Sequence, residues 1–246
     1  MTETLAIVVG VALLAAAVVL VKHRLWPLGP DDEPREDVAE YISMMVGVLY
    51  ALILGLALVS VWDSHSTAEE HTATEAGAAH QIHLLADGLP GAQARALRDQ
   101  IEAYAQHVTA TEWPAMAQGE LPGGAGWQLL DHVRAAAQLP ADATPAQQVA
   151  GLETLGQLGT LDEARRGREA DAAQSLSPVI WLGLITGGLL TVAFMFMFGV
   201  KRSFTHVVMV MGLSALITFT VLLIYQLDSP FKGLFAVGPD AFTRYF

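Results

Sequence analysis

Residues 41–62 read YISMMVGVLYALILGLALVSVW, twenty-two positions without a charged side chain. A hydrocarbon core about 30 Å thick is crossed by a helix of roughly 20 apolar residues. Turn-forming residues precede this stretch at 27–34, and the strongly acidic region follows it. We therefore predict that residues 41–62 form a complete transmembrane helix.

Three further apolar blocks lie at residues 5–21, 178–200 and 207–227. The first block is followed, not preceded, by basic residues, so it is typical of a signal anchor rather than of a cleaved signal peptide. Only six residues separate the last two blocks, which predicts a tight hairpin. We predict an all-α polytopic protein with four spans in two hairpins, 1–62 and 177–227.

The intervening residues 63–176 are predicted to form a helical soluble domain inserted between the second and third spans. One helix is indicated by Leu97, Ile101, Tyr104 and Val108, whose spacing of four, three and four residues places them on one buried stripe. No alternating strand pattern of useful length interrupts the helical pattern.

Charge and composition exclude several classes of function. Between Asp63 and Asp171 the sequence contains sixteen acidic residues, six arginines and no lysine, which argues against nucleic acid as a partner. The absence of cysteine excludes disulfides, thiolate metal sites and cysteine nucleophiles. No catalytic constellation or phosphate loop is present, so we predict neither an enzyme nor a bound cofactor.

The basic residues of the two short loops indicate an orientation. Lys22, Arg24 and Arg35 lie in the first short loop, and Lys201 with Arg202 connects the last two spans, so both loops are predicted to be cytoplasmic. Residues 63–82 contain no lysine or arginine, which favours export of the soluble domain. Arginines before the third span favour the opposite orientation: Arg165, Arg166 and Arg168.

The spans contain small residues at a spacing that allows close helix contact. Gly47, Ala51 and Gly55 recur every four residues in the second span, and Tyr50 lies among them. Asp63, just beyond the span, could contribute to an acidic ring that favours cations. These five residues are candidates for a pore or for helix packing, and packing within one chain is the simpler interpretation.

Histidines and carboxylates recur after the second span, where His65 with Glu69 and His71 with Glu75 are four residues apart. Such pairs share a helix face and can bind a divalent metal. No HExxH motif is present, and a solvated polar face explains the same pattern.

Residues 228–246 are predicted to form an interfacial segment that follows the last span. Asp228 can cap or pair at the interface and Pro230 ends the helix, while Phe231 and Gly233 belong to the same motif. Aromatic side chains such as Phe231 and Phe242 are suited to the lipid headgroup level. A pore-mouth role for Asp228 and Lys232 is the alternative.

Several short stretches together resemble the bestrophin-like domain family of bacterial membrane proteins, over nearly the whole chain. They are Asp37-Val38-Ala39, Val46-Gly47-Val48-Leu49-Tyr50-Ala51, Trp62, Glu69, Glu75, Leu89-Pro90, Tyr104, Glu112-Trp113-Pro114 and Leu227-Asp228-Ser229-Pro230-Phe231-Lys232-Gly233. Members of the family often have His-Asn before the aspartate, where this chain has Arg35-Glu36.

The resemblance implies a remote kinship with bestrophins, which are pentameric anion channels with four membrane helices per subunit and a helical domain between the second and third. We therefore expect a multi-pass protein of the bacterial cell membrane that contacts the lipid bilayer, assembles as a homo-oligomer and conducts an inorganic ion. The alternative is a non-conducting sensor or scaffold whose soluble domain binds a ligand or partner protein. Bestrophins keep this domain in the cytoplasm, whereas the charge pattern here predicts an extracytoplasmic domain.

Overall fold

The computed structural model describes residues 2–25, 36–197 and 204–246. Regular structure within these residues is entirely helical, which confirms the predicted all-α class. In chain order the helices are α1 (Thr2–Leu25), α2 (Glu36–Leu85), α3 (Gly91–His107), α4 (Trp113–Gln118), α5 (Ala125–Ala136), α6 (Pro145–Ala173), α7 (Pro178–Met197), α8 (Phe204–Leu227) and α9 (Asp240–Thr243).

The chain divides into two compact units. The first, here the membrane unit, consists of Met1–Trp62 and Leu176–Gln226. The second, here the helical unit, consists of Asp63–Ser175 and Leu227–Phe246. The division falls inside α2, where the apolar sequence ends at Trp62 and acidic and histidine residues begin.

Three described helices are long and apolar enough to cross a membrane, within Tyr41–Gly88, Pro178–Met195 and Val207–Leu227. The first predicted span contains a shorter apolar helix, Ala6–Val18. These helices identify an integral membrane protein. Parts of the sequence predictions lie outside the described residues: the linker at 27–34, Arg35, the end of the third span at 198–200, and the basic pair Lys201 and Arg202.

Tyr50 packs α2 against α7 within the membrane unit. Its hydroxyl donates a hydrogen bond of 3.1 Å to the carbonyl of Leu184. A Cβ on Gly187 would lie 2.6 Å from Cδ2 of the Tyr50 ring, so only glycine leaves room for the ring. The sequence offered Tyr50 as a pore or packing residue, and the structure places it in packing.

The helical unit is built around the stripe predicted for α3. Leu97, Ile101, Tyr104 and Val108 are all fully buried in its core. A π-helical turn, Val108–Glu112, follows α3 directly. It places Glu112 and Trp113 in the same core. Helix α6 starts at a capping box in which Thr144 and Gln147 bond to each other's backbone.

The C-terminal segment, residues 227–246, belongs to this helical unit. Phe231 and Phe242 are buried beside Trp113, with ring centroids 5.8 and 5.9 Å away, and the Trp113 indole donates to the carbonyl of Val237 at 3.0 Å. The rings of Phe231 and Phe242 thus contact protein side chains, while the interfacial position of residues 228–246 stays a prediction. The apolar ring of a phenylalanine that follows a span is equally stable in lipid and in a protein core. The sequence therefore does not distinguish the two.

Candidate functional site

Two arginines and two glutamates form a buried ionic network inside the helical unit. Arg168 contacts Glu75 through Nε at 2.5 Å and through Nη2 at 2.9 Å, and its Nη2 also reaches Glu112 at 2.8 Å. Arg165 donates both terminal nitrogens to Glu112, at 2.6 and 3.1 Å. None of the four side chains is more than 2% exposed.

Aromatic side chains complete the network. The Tyr104 hydroxyl donates to Glu75 and accepts from Arg165 at 3.2 Å. The guanidinium of Arg168 lies 5.1 Å from the Trp113 ring centroid, and that of Arg165 lies 5.1 Å from the Trp127 ring centroid. Such cation–π contacts favour a guanidinium that has lost its hydration.

Four separate elements supply these groups. Glu75 lies on α2, Tyr104 on α3 and Glu112 at the end of the π-helical turn, while both arginines lie on α6, where a spacing of three residues puts them on one face. The network therefore connects the helix that follows the second predicted span with the helix that precedes the third.

Gly126, at the start of α5, lets this helix approach the network. A Cβ there would collide with Nη2 of Arg165 and Oε1 of Glu112. Both atoms belong to a bidentate ion pair, so moving either of them would weaken that pair. A residue larger than glycine at this position would therefore break the pairing or displace α5.

The pKa values follow from burial and pairing. Burial disfavours the charged form of Glu112, but the hydrogen bond from Arg165 and the charge of Arg168 prevail and lower its pKa below the ordinary 4.5. Burial and the nearby Glu75 charge raise the pKa of Tyr104 well above 10.0, so the phenol stays protonated. Burial opposes the charge of Arg168 as well, yet Glu75 and Glu112 raise its pKa.

The charges of the four central residues cancel, with two carboxylates against two guanidiniums. Burial of a charge costs several kcal/mol per ion unless a well-placed partner offsets it. Every guanidinium here has a carboxylate partner inside the unit, so the network is a structural clamp rather than an open ion-binding site. Glu169 adds a further carboxylate at its edge, 3.0 Å from Arg165 and bonded to the Trp127 indole at 3.1 Å.

The predicted metal ligands are not brought together. Glu75 is committed to Arg168, and His71 pairs with Asp171 at 2.7 Å. His65 bonds to the carbonyl of Phe235 at 2.6 Å, while Glu69 is exposed. Among the described residues no group of three or more His, Asp and Glu side chains is placed to hold a metal.

Of the pore candidates on α2, Tyr50 is buried, whereas Ala51 and Asp63 are exposed. Among the described residues, apart from the neighbouring backbone of α2 itself, no heavy atom lies within 4 Å of a Cβ built on Gly47 or Gly55. In the interfacial motif, Pro230 is buried, Asp228 is half-buried and Gly233 has φ of +85°, a turn conformation that favours glycine.

In the sequence, Arg165 and Arg168 bore only on the orientation of the chain. A usable signal was present, since they are two of only six arginines in a region without lysine and their spacing places both on one helix face. Glu75, Tyr104, Glu112 and Trp113 carried the family resemblance, and the structure shows that they meet.

Acidification should weaken the helical unit through Glu112. Because its folded pKa lies below the ordinary 4.5, its contribution is complete above that unfolded pKa and is lost as pH falls through the folded pKa. We expect the melting temperature in lipid nanodiscs to fall steeply below about pH 4. Glu112→Gln should have a lower melting temperature at neutral pH, and its melting temperature should fall less in acid. Glu120→Gln, at an exposed site, should follow the curve of the unsubstituted protein. Parallel curves for all three proteins would contradict this role of Glu112.

In fold, the chain is similar to the crystal structure of a membrane protein, with a TM-score of 0.66 and 14% identity over 99% of this chain and 96% of that one. At this identity the likeness concerns the fold alone. Among curated proteins, none matches the chain in sequence. The sequence profile of the bestrophin-like domain matches residues 9–242, nearly the whole length. This protein is therefore a member of the bestrophin-like domain family.

Proposed function

We propose that this protein is the subunit of a homo-oligomeric ion channel. Membership of the bestrophin-like family and the apolar helices of the membrane unit support a channel-like membrane protein. A small inorganic ion is the proposed substrate, and α2 is the helix nearest the axis of the assembly.

The open face of α2 carries this proposal. Tyr50, Ala57 and Val61 bury one side of the helix, while a Cβ built on Gly47 or Gly55 would meet no atom of the described residues beyond the adjacent α2 backbone within 4 Å. Small residues at a four-residue spacing let helix backbones approach closely in a membrane. Because the described part of the chain leaves these two glycines open, they are available to another copy or to a central path.

The described candidate spans are mostly exposed in a single copy. Only 11–17% of the residues in the most apolar windows of the three candidate spans are buried inside the chain. Channel pores are lined by rings of groups contributed around an axis. Several copies are therefore required in this proposal, with α1 as the fourth crossing, since its 24 residues extend over about 36 Å.

The proposed orientation places the helical unit outside the cytoplasm. Lys22 and Arg24 at the end of α1 support a cytoplasmic position of the first loop, and the region that follows Trp62 is acidic. Accessibility of residues near Glu69 to a membrane-impermeant reagent, in intact cells, tests this orientation. Labelling only after lysis would reverse it.

The mass of the purified protein in lipid nanodiscs tests the assembly, and ion flux into liposomes tests conduction. The proposal predicts a closed ring of several subunits and a flux that depends on the protein. A monomer in both detergent and lipid, without flux, would refute the proposal.

Filling the open face of α2 should disturb assembly without disturbing the subunit. We expect Gly55→Leu to lower the oligomeric mass in nanodiscs and to reduce flux at least severalfold, because the new side chain occupies the contact face. Gly212→Leu is the matched control, since Gly212 on α8 is equally open. Equal effects of the two substitutions would show that the α2 face has no special role.

A non-conducting sensor or scaffold is the second candidate, and the buried network favours it. The network ties α2 to α6 through Glu75 and Arg168, so a ligand that shifts either helix would shift the other. An oligomer that conducts none of the common inorganic ions, together with a partner captured by the helical unit, would favour this candidate over the channel.

A further inference from the structure

The last predicted span is followed by a short closed loop, residues 231–236, which is called the C-terminal loop below. The backbone N–H of Val237 donates to the carbonyl of Pro230 at 2.8 Å, so the two ends of the loop are joined. Both ends are also fixed by burial, since Phe231 and Val237 are only 4% and 8% exposed in the core of the helical unit. Gly233, with φ of +85°, allows the chain to turn. The loop therefore has a defined place on the helical unit.

The tip of the C-terminal loop is apolar and exposed. Leu234 and Phe235 are 58% and 51% exposed. Residues 233–239 contain no charged side chain. Such a tip can enter an apolar environment without taking a charge out of water, which would be costly.

A hydrogen bond ties this tip to the helix that continues the second predicted span. The His65 imidazole bonds to the Phe235 carbonyl at 2.6 Å. His65 lies three residues after Trp62, where the uncharged stretch of α2 ends. Three residues extend over about 4.5 Å in a helix and over at most about 11 Å in any conformation. Chain connectivity alone therefore keeps the backbone of Phe235 close to the point where α2 leaves the hydrocarbon core.

The last predicted span imposes the same condition on the tip. Helix α8 ends at Leu227, and Leu234 is the seventh residue after it. Tyr225, near the end of α8, and Trp62, at the end of the uncharged stretch of α2, are 64% and 62% exposed. Exposed tyrosine and tryptophan at span ends are typical of the membrane–water interface. The tip is thus connected over short distances to two span ends that carry interfacial aromatic residues.

We propose that Leu234 and Phe235 insert into the headgroup region of the bilayer that the protein crosses, and that they anchor the helical unit to the lipid surface. The structure thereby divides the predicted interfacial segment into two parts. Phe231 and Phe242 pack inside the helical unit, whereas the tip of the C-terminal loop contacts lipid. This inference requires neither an oligomer nor conduction, so it is independent of the proposed channel.

A lipid surface fits the tip better than a protein partner does. A stable protein interface buries about 800 Å² on each side, far more than two side chains provide. The bilayer is already present at the end of the second predicted span, so the contact of the tip continues an existing lipid interface. Attachment to that span also keeps the effective concentration of the tip at the bilayer high.

A fluorescent label on the tip tests this inference. The chain contains no cysteine, so one introduced cysteine can carry an environment-sensitive fluorophore. In nanodiscs of phosphatidylcholine, a label on Phe235→Cys should be quenched strongly by lipid that carries a spin label close to its headgroup. Iodide in the water should quench this label severalfold less than a label at an exposed site outside the bilayer. Leu234→Cys provides a second position with the same expected result.

The matched control is Leu152→Cys on α6. Leu152 is a 70% exposed leucine of the same unit, and about 30 Å of helix separates it from Gln174, whose side chain bonds to Ser64 at 3.5 Å. Its label should be quenched by iodide and unaffected by the spin-labelled lipid. Equal quenching of the labels on the tip and on α6 would overturn the inference. Tip labels that neither quencher reaches would show that protein covers the tip, which would overturn it as well.

Discussion

Replacement of Arg168 by leucine should lower the unfolding free energy of the helical unit by about 3–5 kcal/mol, because it leaves Glu75 buried without its main counter-charge and removes one of the two guanidiniums that bond to Glu112. Loss of the contact with the Trp113 ring adds to the effect. Thermal unfolding of the full chain in nanodiscs, followed by tryptophan fluorescence, measures this loss.

The matched control is Arg166→Leu. Arg166 is two residues away on the same helix but exposed, and its guanidinium lies 5.9 Å from the Trp127 ring centroid, so its replacement should change stability by no more than about 1 kcal/mol. A similar melting temperature for Arg168→Leu and Arg166→Leu would show that the buried pairing contributes little.

Substitution of Gly187 by valine should be the most damaging single change in the membrane unit. Its Cβ would meet the Tyr50 ring at 2.6 Å, and the ring is held by the hydrogen bond to the Leu184 carbonyl. Overpacking of this kind destabilises by roughly 1–3 kcal/mol, occasionally more. We expect a lower melting temperature and a lower yield of folded protein in lipid.

Gly183 gives the control for that prediction, since it lies one turn away on α7 and a Cβ there meets no atom within 4 Å. Gly183→Val should not lower the melting temperature of a single copy. A double variant, Gly187→Val with Tyr50→Ala, should lose less unfolding free energy than the two single variants lose in sum, because the smaller side chain relieves the collision. Strict additivity would show that the two residues do not interact.

The histidine pattern on α2 shows how a local pattern can mislead. His65, Glu69, His71 and Glu75 have spacings that suit a helical metal site, and the structure gives three of them separate partners. Spacing reports which side chains share a helix face, but a face can turn toward water, toward an arginine or toward a backbone carbonyl. The packing of α6 and of the C-terminal segment against α2 selects among these outcomes.

Sequence alone determined the features that depend on local composition and period. The 22 uncharged residues at 41–62, the all-helical class and the buried stripe of α3 follow from apolar length and from the helical repeat, which act within one segment. The tertiary structure decided which side chains meet across segments. It alone pairs Arg165 and Arg168 with carboxylates 53 to 93 positions away. It also places Phe231 and Phe242 in a protein core and leaves Gly47 and Gly55 open. The physical reason is that a buried charge or ring is stabilised by its neighbours in space, and these come from helices that no local pattern links.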